Sequence, residues 1–239
     1  MTGFPFRELW CVDFEFRANP GERPWLVCMV AQELIGGRQI RMWRDELLAL
    51  RKAPFDTGGD VAFVAYYASA DLGCFLELGW PLPVNVIDLF AEHRVETNGQ
   101  KLLVDGNRLP HALALRGLAY IDVSEKDAMI QLIIGQREWS EEEKCKILDY
   151  CAKDVVALIA LLPVMAPTID WPRAKLRGRY MVAVARMERA GIPIDAALHR
   201  NLVDNWEPIK QHLIAEVDQA YGVYEEGNSS KLFLPNTCG

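Results

Sequence analysis

The chain has 239 residues, 51% of them hydrophobic and 25% charged, with a formal net charge of −7. This is globular composition with enough apolar material for a sizeable core. No apolar run reaches the roughly 18 residues of a membrane-spanning helix, and residues 1–9 lack the basic start and apolar stretch of a signal peptide. The acidic balance argues mildly against nucleic acid, whose usual footprint is a basic stripe. A metal-dependent site would itself concentrate acids, however, so the sum does not decide. The six Cys (Cys11, Cys28, Cys74, Cys145, Cys151 and Cys238) form no CxxC pair and read as small hydrophobes in a reducing cytosol. His93, His111, His199 and His212 show no zinc-ligand spacing.

In chain order, residues 9–16 (LWCVDFEF) read as a strand by bulk and alternation, and 17–24 as a turn. Residues 25–35 and 38–43 are strand-like and flank Gly36-Gly37. That predicts a hairpin on a primed turn, which needs positive φ. Residues 44–52 predict a short helix, 61–67 a fourth strand, and 69–79 a helix with Ser69 as N-cap and Gly79 as its stop. A fifth strand at 84–90 runs into a helix. Asp88 ends that strand or caps the helix. Further helices are expected at about 108–118, 124–135 and 140–166, the last with a break. Ser140 and Glu143 make a capping box there, and Glu141 and Glu142 suit the positive helix start. Three strands, then alternating helix and strand, predict an α/β fold: a mixed sheet with helices on its faces.

Composition shifts near 165–172. Residues 173–191 predict a long basic helix with five Arg and one Lys against one Glu. "IPID" interrupts it, and 196–222 are helical again, disturbed at Pro208. The stretch from 227 reads as an unstructured or truncated tail. No repeat or low-complexity tract appears.

The first strand carries two carboxylates. With a strand's period of two, Asp13 and Glu15 share one face, and Val12, Phe14 and Phe16 take the other. Two partly buried like charges are costly unless something positive lies between them, and no Lys or Arg stands at the right spacing in the strand. A divalent cation would answer this, since Mg²⁺ and Mn²⁺ prefer carboxylate oxygens. The pair can equally be the solvated acidic face of an edge strand. Asp71 stands near the start of the helix after the fourth strand. Tyr150 and Asp154, four apart, share one face of a largely apolar helix. Taken singly, each of these is as readily a helix-start charge or a packing ring. Together they form a constellation.

V-D-x-E in the first strand, a second Asp in "ADLGCFLELG", and Y-x-x-x-D late in the chain resemble the three motifs of the DEDDy 3′–5′ exonucleases. "RAKLRGRYMVAVARMERAGIPID" resembles the start of the polymerase module of family A DNA polymerases, and "AYYASADLGCFLELGWPLP" before "VIDLF" resembles their phage-type branch. The likeness spans roughly residues 8–225. It implies a ribonuclease H-like exonuclease domain over residues 1–168 and a helical start of the polymerase thumb over 169–239. It further implies a C-terminal polymerase domain absent from this sequence, a place in the cytoplasm of a bacterium or phage-infected cell, and a single-stranded 3′ end of DNA, at a primer terminus, as partner.

The same resemblance implies that Asp13, Glu15 and Asp154 hold one of two divalent ions, Mg²⁺ or Mn²⁺. Asp13, with Asp71 through water, would hold the other, and Tyr150 would orient the attacking water. Phe16 stands where the family has Thr and Tyr67 where it has Asn, so both are expected at the substrate. The polymerase motifs D-Y-S-x-I-E-x-R and V-H-D-E are missing. Two alternatives stay open: an RNase D-like or Werner-like exonuclease, which would not carry "RMERAGIPID", and a non-catalytic scaffold of the same fold. The basic helix around Arg173, Lys175, Arg177 and Arg179 has two readings, phosphate contact or packing on a polymerase domain.

Overall fold

The computed structural model describes residues 3–19, 21–100, 106–119, 123–135, 138–225 and 228–229. Its centre is a five-stranded sheet. Strand β1 (Glu8–Arg17) pairs antiparallel with β2 (Trp25–Glu33), which pairs antiparallel with β3 (Gln39–Trp43). On its other edge β1 runs parallel to β4 (Val61–Ala65), which runs parallel to β5 (Asn85–Asp88), giving the order β3-β2-β1-β4-β5. This is the mixed sheet expected above, in ribonuclease H-like order.

Alternation along β1 sorts the core into two layers. Leu9 and Cys11 face one cluster, with Val30, Tyr150, Cys151, Val155 and Leu158. Trp10, Val12 and Phe14 face the other, with Met29, Leu72, Phe75 and Met181. The helices α1 (Arg44–Leu48), α2 (Ala68–Leu78), α3 (Leu89–Thr97), α4 (Leu109–Ala114), α5 (Val123–Gly135), α6 (Glu141–Met165) and α7 (Trp171–Ala190) complete this unit. Helix α6 covers β1 and β2 on the first face, whereas α2 and α7 pack together on the second.

Four local expectations need correction. The β2–β3 connection is not a two-residue primed turn. The buried Glu33 carboxylate accepts N–H groups from Leu9, Ile35 and Gly36, and the Gly37 N–H bonds the Glu33 carbonyl (3.0 Å). The chain therefore wraps around its own carboxylate, and of the two glycines Gly37 alone takes positive φ. Helix α2 starts earlier than expected: Tyr67 is its N-cap, and Ser69 lies buried inside the first turn. Helix α6 runs unbroken through Pro163 in its last turn, where the cost is the one backbone bond that a proline cannot donate to the residue four before it. Finally, Pro208 does not disturb the last helical stretch. It sits in the first turn of α9 (Trp206–Tyr221), where its missing N–H costs nothing, and the break falls at Asn205, after α8 (Ala196–Asp204).

The chain divides into two compact units, residues 1–191 and 192–239. The first includes α7, which a boundary at 168 would leave out. The second holds α8, α9 and a short hairpin of β6 (Tyr224–Glu225) and β7 (Asn228–Ser229). The expected tail from 227 lies mostly outside the described residues. Among those residues no helix is long and apolar enough to cross a membrane. Five cysteines are free thiols, and Cys238 lies outside the described residues.

Candidate active site

The site forms where β1 outruns its parallel neighbour. The last β1–β4 pairing is Cys11 with Val64, so the second half of β1 continues past the C-terminal end of β4. Such strand ends are the usual ligand crevice of open α/β sheets. Asp13 and Glu15 stand there, on the face of Leu9 and Cys11 that α6 covers. A bulge between Glu15 and Phe16 shifts the register against β2, a device common beside active sites because it re-aims a side chain.

Helix α6 brings the second group. Tyr150, Cys151 and Asp154 lie on its buried side. The Cys151 thiol donates to the Asp13 carbonyl (3.3 Å) and to Asp13 Oδ2 (3.4 Å). One ligand atom each from Asp13, Glu15 and Cys151 lie within 4.8 Å of one another. Burial is the main cause that pushes the Tyr150 phenol upward, and the charges of Asp154, Glu15 and Asp13 add to it. The phenol therefore stays protonated, an O–H group that can donate.

Helix α2 brings the third. After β4 the chain turns at Tyr67 and enters α2, which places Asp71 in the first turn. Its Oδ1 accepts the Phe14 N–H (3.1 Å), a donor beyond the last β4 pairing. Burial first, then the Asp13 charge, pushes Asp71 well above the usual carboxylate range, against the opposing bond from Phe14. Asp13 thus feels Asp71 from one side and the α6 residues from the other.

Asp13 and Asp154 open onto a cleft of about 420 Å³ that Tyr66, Tyr67, Phe90, Asn107, Arg108 and Leu109 also line. The structure therefore brings Asp13, Glu15, Asp71, Tyr150 and Asp154 together, with Tyr67 on the cleft wall. Phe16 is placed apart. It lines a neighbouring groove with Arg23, Ala70 and Gly73, which Tyr67 also borders. Sequence reasoning missed Cys151, because a cysteine in an apolar helix reads as core. Its position one residue after Tyr150 on the same helical side was the available signal. Asp88, left open above, both ends β5 and caps α3 through the N–H groups of Phe90 and Ala91.

No protein-family model and no curated protein matches the chain. Among solved structures it is similar to Escherichia coli RNase D, an exoribonuclease involved in structured RNA processing, with 18% identity and a TM-score of 0.49 over 86% of this chain and 50% of that one. This chain spans about half the length of that RNase D chain. It is also similar to the apo form of a nuclease, with 16% identity and a TM-score of 0.52 over 80% of this chain and 90% of that one. The second likeness shows a shared fold.

The carboxylates fit a divalent cation on their own chemistry. Several acids crowd one partly buried position, where burial first and the Asp13 charge second push Asp71 upward, and a cation there would offset that crowding. The donor set is oxygen-rich, as Mg²⁺ and Mn²⁺ require, with one sulfur at its edge.

Proposed function

We propose that the chain is a metal-dependent 3′–5′ exonuclease that removes terminal nucleotides from a single-stranded 3′ end. The observation that carries this reading is the convergence of Asp13, Glu15, Asp71, Tyr150 and Asp154, from three separate elements, at the end of β1. Asp13, Glu15, Asp71 and Asp154 would hold two divalent ions, Mg²⁺ or Mn²⁺, which when bound supply charge stabilisation to the attacking and leaving oxygens of a phosphodiester displacement. Tyr150, protonated and close to Asp154 and Glu15, orients the attacking water through its O–H. Tyr67 and Phe90 offer aromatic surface to the terminal base, and Arg108 offers a cation to the strand's phosphates.

DNA is the proposed substrate and proofreading for a family A polymerase the proposed context. Both rest on the sequence resemblance. Leu198, Leu202, Trp206 and Leu213 of α8 and α9 are exposed, and neither helix buries a residue, as helices would that complete a thumb with further chain. The same carboxylate constellation suits a second reading, an RNase D-like exonuclease acting on RNA.

The test is degradation of single-stranded DNA and RNA oligonucleotides, labelled at the 5′ or 3′ end, with Mg²⁺, Mn²⁺ or EDTA. Stepwise shortening of 5′-labelled DNA that EDTA and Asp13→Ala both abolish is expected. Faster shortening of RNA would favour the second reading. No shortening of either by folded protein would leave a non-catalytic scaffold.

A further inference from the structure

Tyr67 is the one non-glycine residue at positive φ among the described residues, with φ 70° and ψ 57°. Crowding at Cβ disfavours that conformation for a large side chain, so its surroundings must hold it there. The holder is Asp88. Its carboxylate accepts the N–H groups of Tyr67 (3.0 Å) and Ala68 (3.2 Å) from one connection. From the other it accepts those of Phe90 (2.9 Å) and Ala91 (3.5 Å). One side chain, 1% exposed, thus serves the first turns of two helices. Tyr67 has no side-chain acceptor to cap α2 itself.

Capping α3 needs only the second pair of bonds, and a serine at 88 would supply them. The first pair does something else: it fixes where the Tyr67 ring stands. That ring meets Phe90 edge-on at 5.2 Å, and Tyr66 meets the same Phe90 at 5.8 Å. The Tyr66 hydroxyl is anchored on the Asn107 carbonyl at 2.5 Å. All three rings wall the cleft that Asp13 and Asp154 enter, and Tyr67, 47% exposed, also borders the groove leading to Phe16.

We infer that Asp88 is a positioning residue. It ties the β4–α2 and β5–α3 connections together and holds Tyr67 in its left-handed conformation, so that its ring forms a preset stacking surface for a base of the bound strand. This rests on the nuclease reading of the site. Asp88 touches no substrate and acts through Tyr67.

The test is binding of a fluorescent single-stranded oligodeoxynucleotide, read by anisotropy in Mg²⁺, with 3′-terminal phosphorothioate linkages to resist hydrolysis. Tyr67→Gly, which removes ring and strain together, is expected to weaken binding by roughly five- to hundredfold, the range of one lost stacked base. Asp88→Ser keeps the α3 cap, loses the reach to Tyr67 and Ala68, and is expected to weaken binding at least about fivefold. On an unmodified oligonucleotide its KM rises while kcat stays within about twofold. The double variant binds no more weakly than Tyr67→Gly alone, because Asp88 then has no ring to place. If Asp88→Ser does not fold, Asp88→Thr, a helix-capping residue equally short of the Tyr67 and Ala68 N–H groups, carries the same test.

Wild-type affinity in the folded Asp88 variant overturns the inference, and so does an additive loss in the double variant. Wild-type protein that binds no oligonucleotide overturns the nuclease reading and this inference with it. Wild-type binding with unchanged Asp88→Ser affinity overturns the inference alone.

Discussion

Asp71 keeps its proton above the usual carboxylate range because it is buried beside Asp13, and the sign of its effect on stability follows. Between about pH 3.9, the unfolded value, and its raised native value, the folded protein holds a proton that the unfolded chain releases. The native state then binds more protons, so the stability of the metal-free protein falls as pH rises across that window. Asp88 acts with the same sign, since burial outweighs its four backbone hydrogen bonds and lifts it to about 6. The metal-free melting temperature is expected to drop as pH rises from about 4 through about 6. Asp71→Asn keeps an oxygen for the Phe14 N–H, removes the like charge, and should raise the melting temperature at the upper pH by a few degrees, at about 2–4 °C per kcal/mol for a domain of this size. Divalent cation reverses the trend, because it selects the ionised carboxylates. The gain in melting temperature from Mg²⁺ or Mn²⁺ should grow with pH and be smaller in Asp71→Asn, which keeps Asp13, Glu15 and Asp154 for one ion. Thermal scans with and without cation check both signs, and a pH-independent metal-free transition would contradict the crowding of these two acids.

At the scale of elements, the decisive packing is α7 against the sheet. Gly178 lies so close to β5 that a Cβ there would stand 1.8 Å from the Val86 carbonyl oxygen. That oxygen belongs to the backbone and cannot swing aside. One turn of helix is fixed at the same edge by Arg177, whose guanidinium pairs through both Nε and Nη2 with the buried Glu92 carboxylate at 2.6 Å. Gly178→Ala should therefore push α7 off β5 and destabilise the unit by about 3 kcal/mol, the upper part of the overpacking range. A helix that tolerated alanine would show no shift in the denaturant midpoint. The same helix shows what the sequence could not convey. Its basic composition suggested phosphate contact or an absent partner, yet Arg173, Arg177 and Arg189 pair with Asp170, Glu92 and Glu77. Composition records charge but not the acid it meets, 85 residues away for Arg177. Strands and the shared face of Asp13 and Glu15 were legible because period two is a local property. The Glu33-centred turn, the start of α2 at Tyr67 and the place of Cys151 were not. Each depends on a side chain reaching backbone or a partner that only the assembled sheet supplies.

For the whole molecule the question is how much chain the site needs. Residues 1–191 form one compact unit, whereas the family resemblance implied an earlier boundary, at 168. Removing everything after 168 takes away Met181 and Ala185, which are buried in the cluster that holds Leu72 and Phe75 of α2. It also strips Arg177 from Glu92, leaving a buried charge without its partner, a loss of several kcal/mol in comparable pairs. Since α2 carries Asp71, the damage reaches the site. A fragment of residues 1–191 is expected to melt cooperatively near the full chain's temperature and to shorten a 3′ end at a similar rate. A fragment of residues 1–168 should melt lower or not fold, and should lose cleavage. Circular dichroism melts and end-labelled degradation on the three lengths decide this. Equal activity of the shortest fragment would make α7 dispensable and the earlier boundary the functional one. A folded but inactive 1–191 fragment would assign strand binding to α8 and α9, which bury no residue of their own and would then present their exposed apolar side chains to nucleic acid.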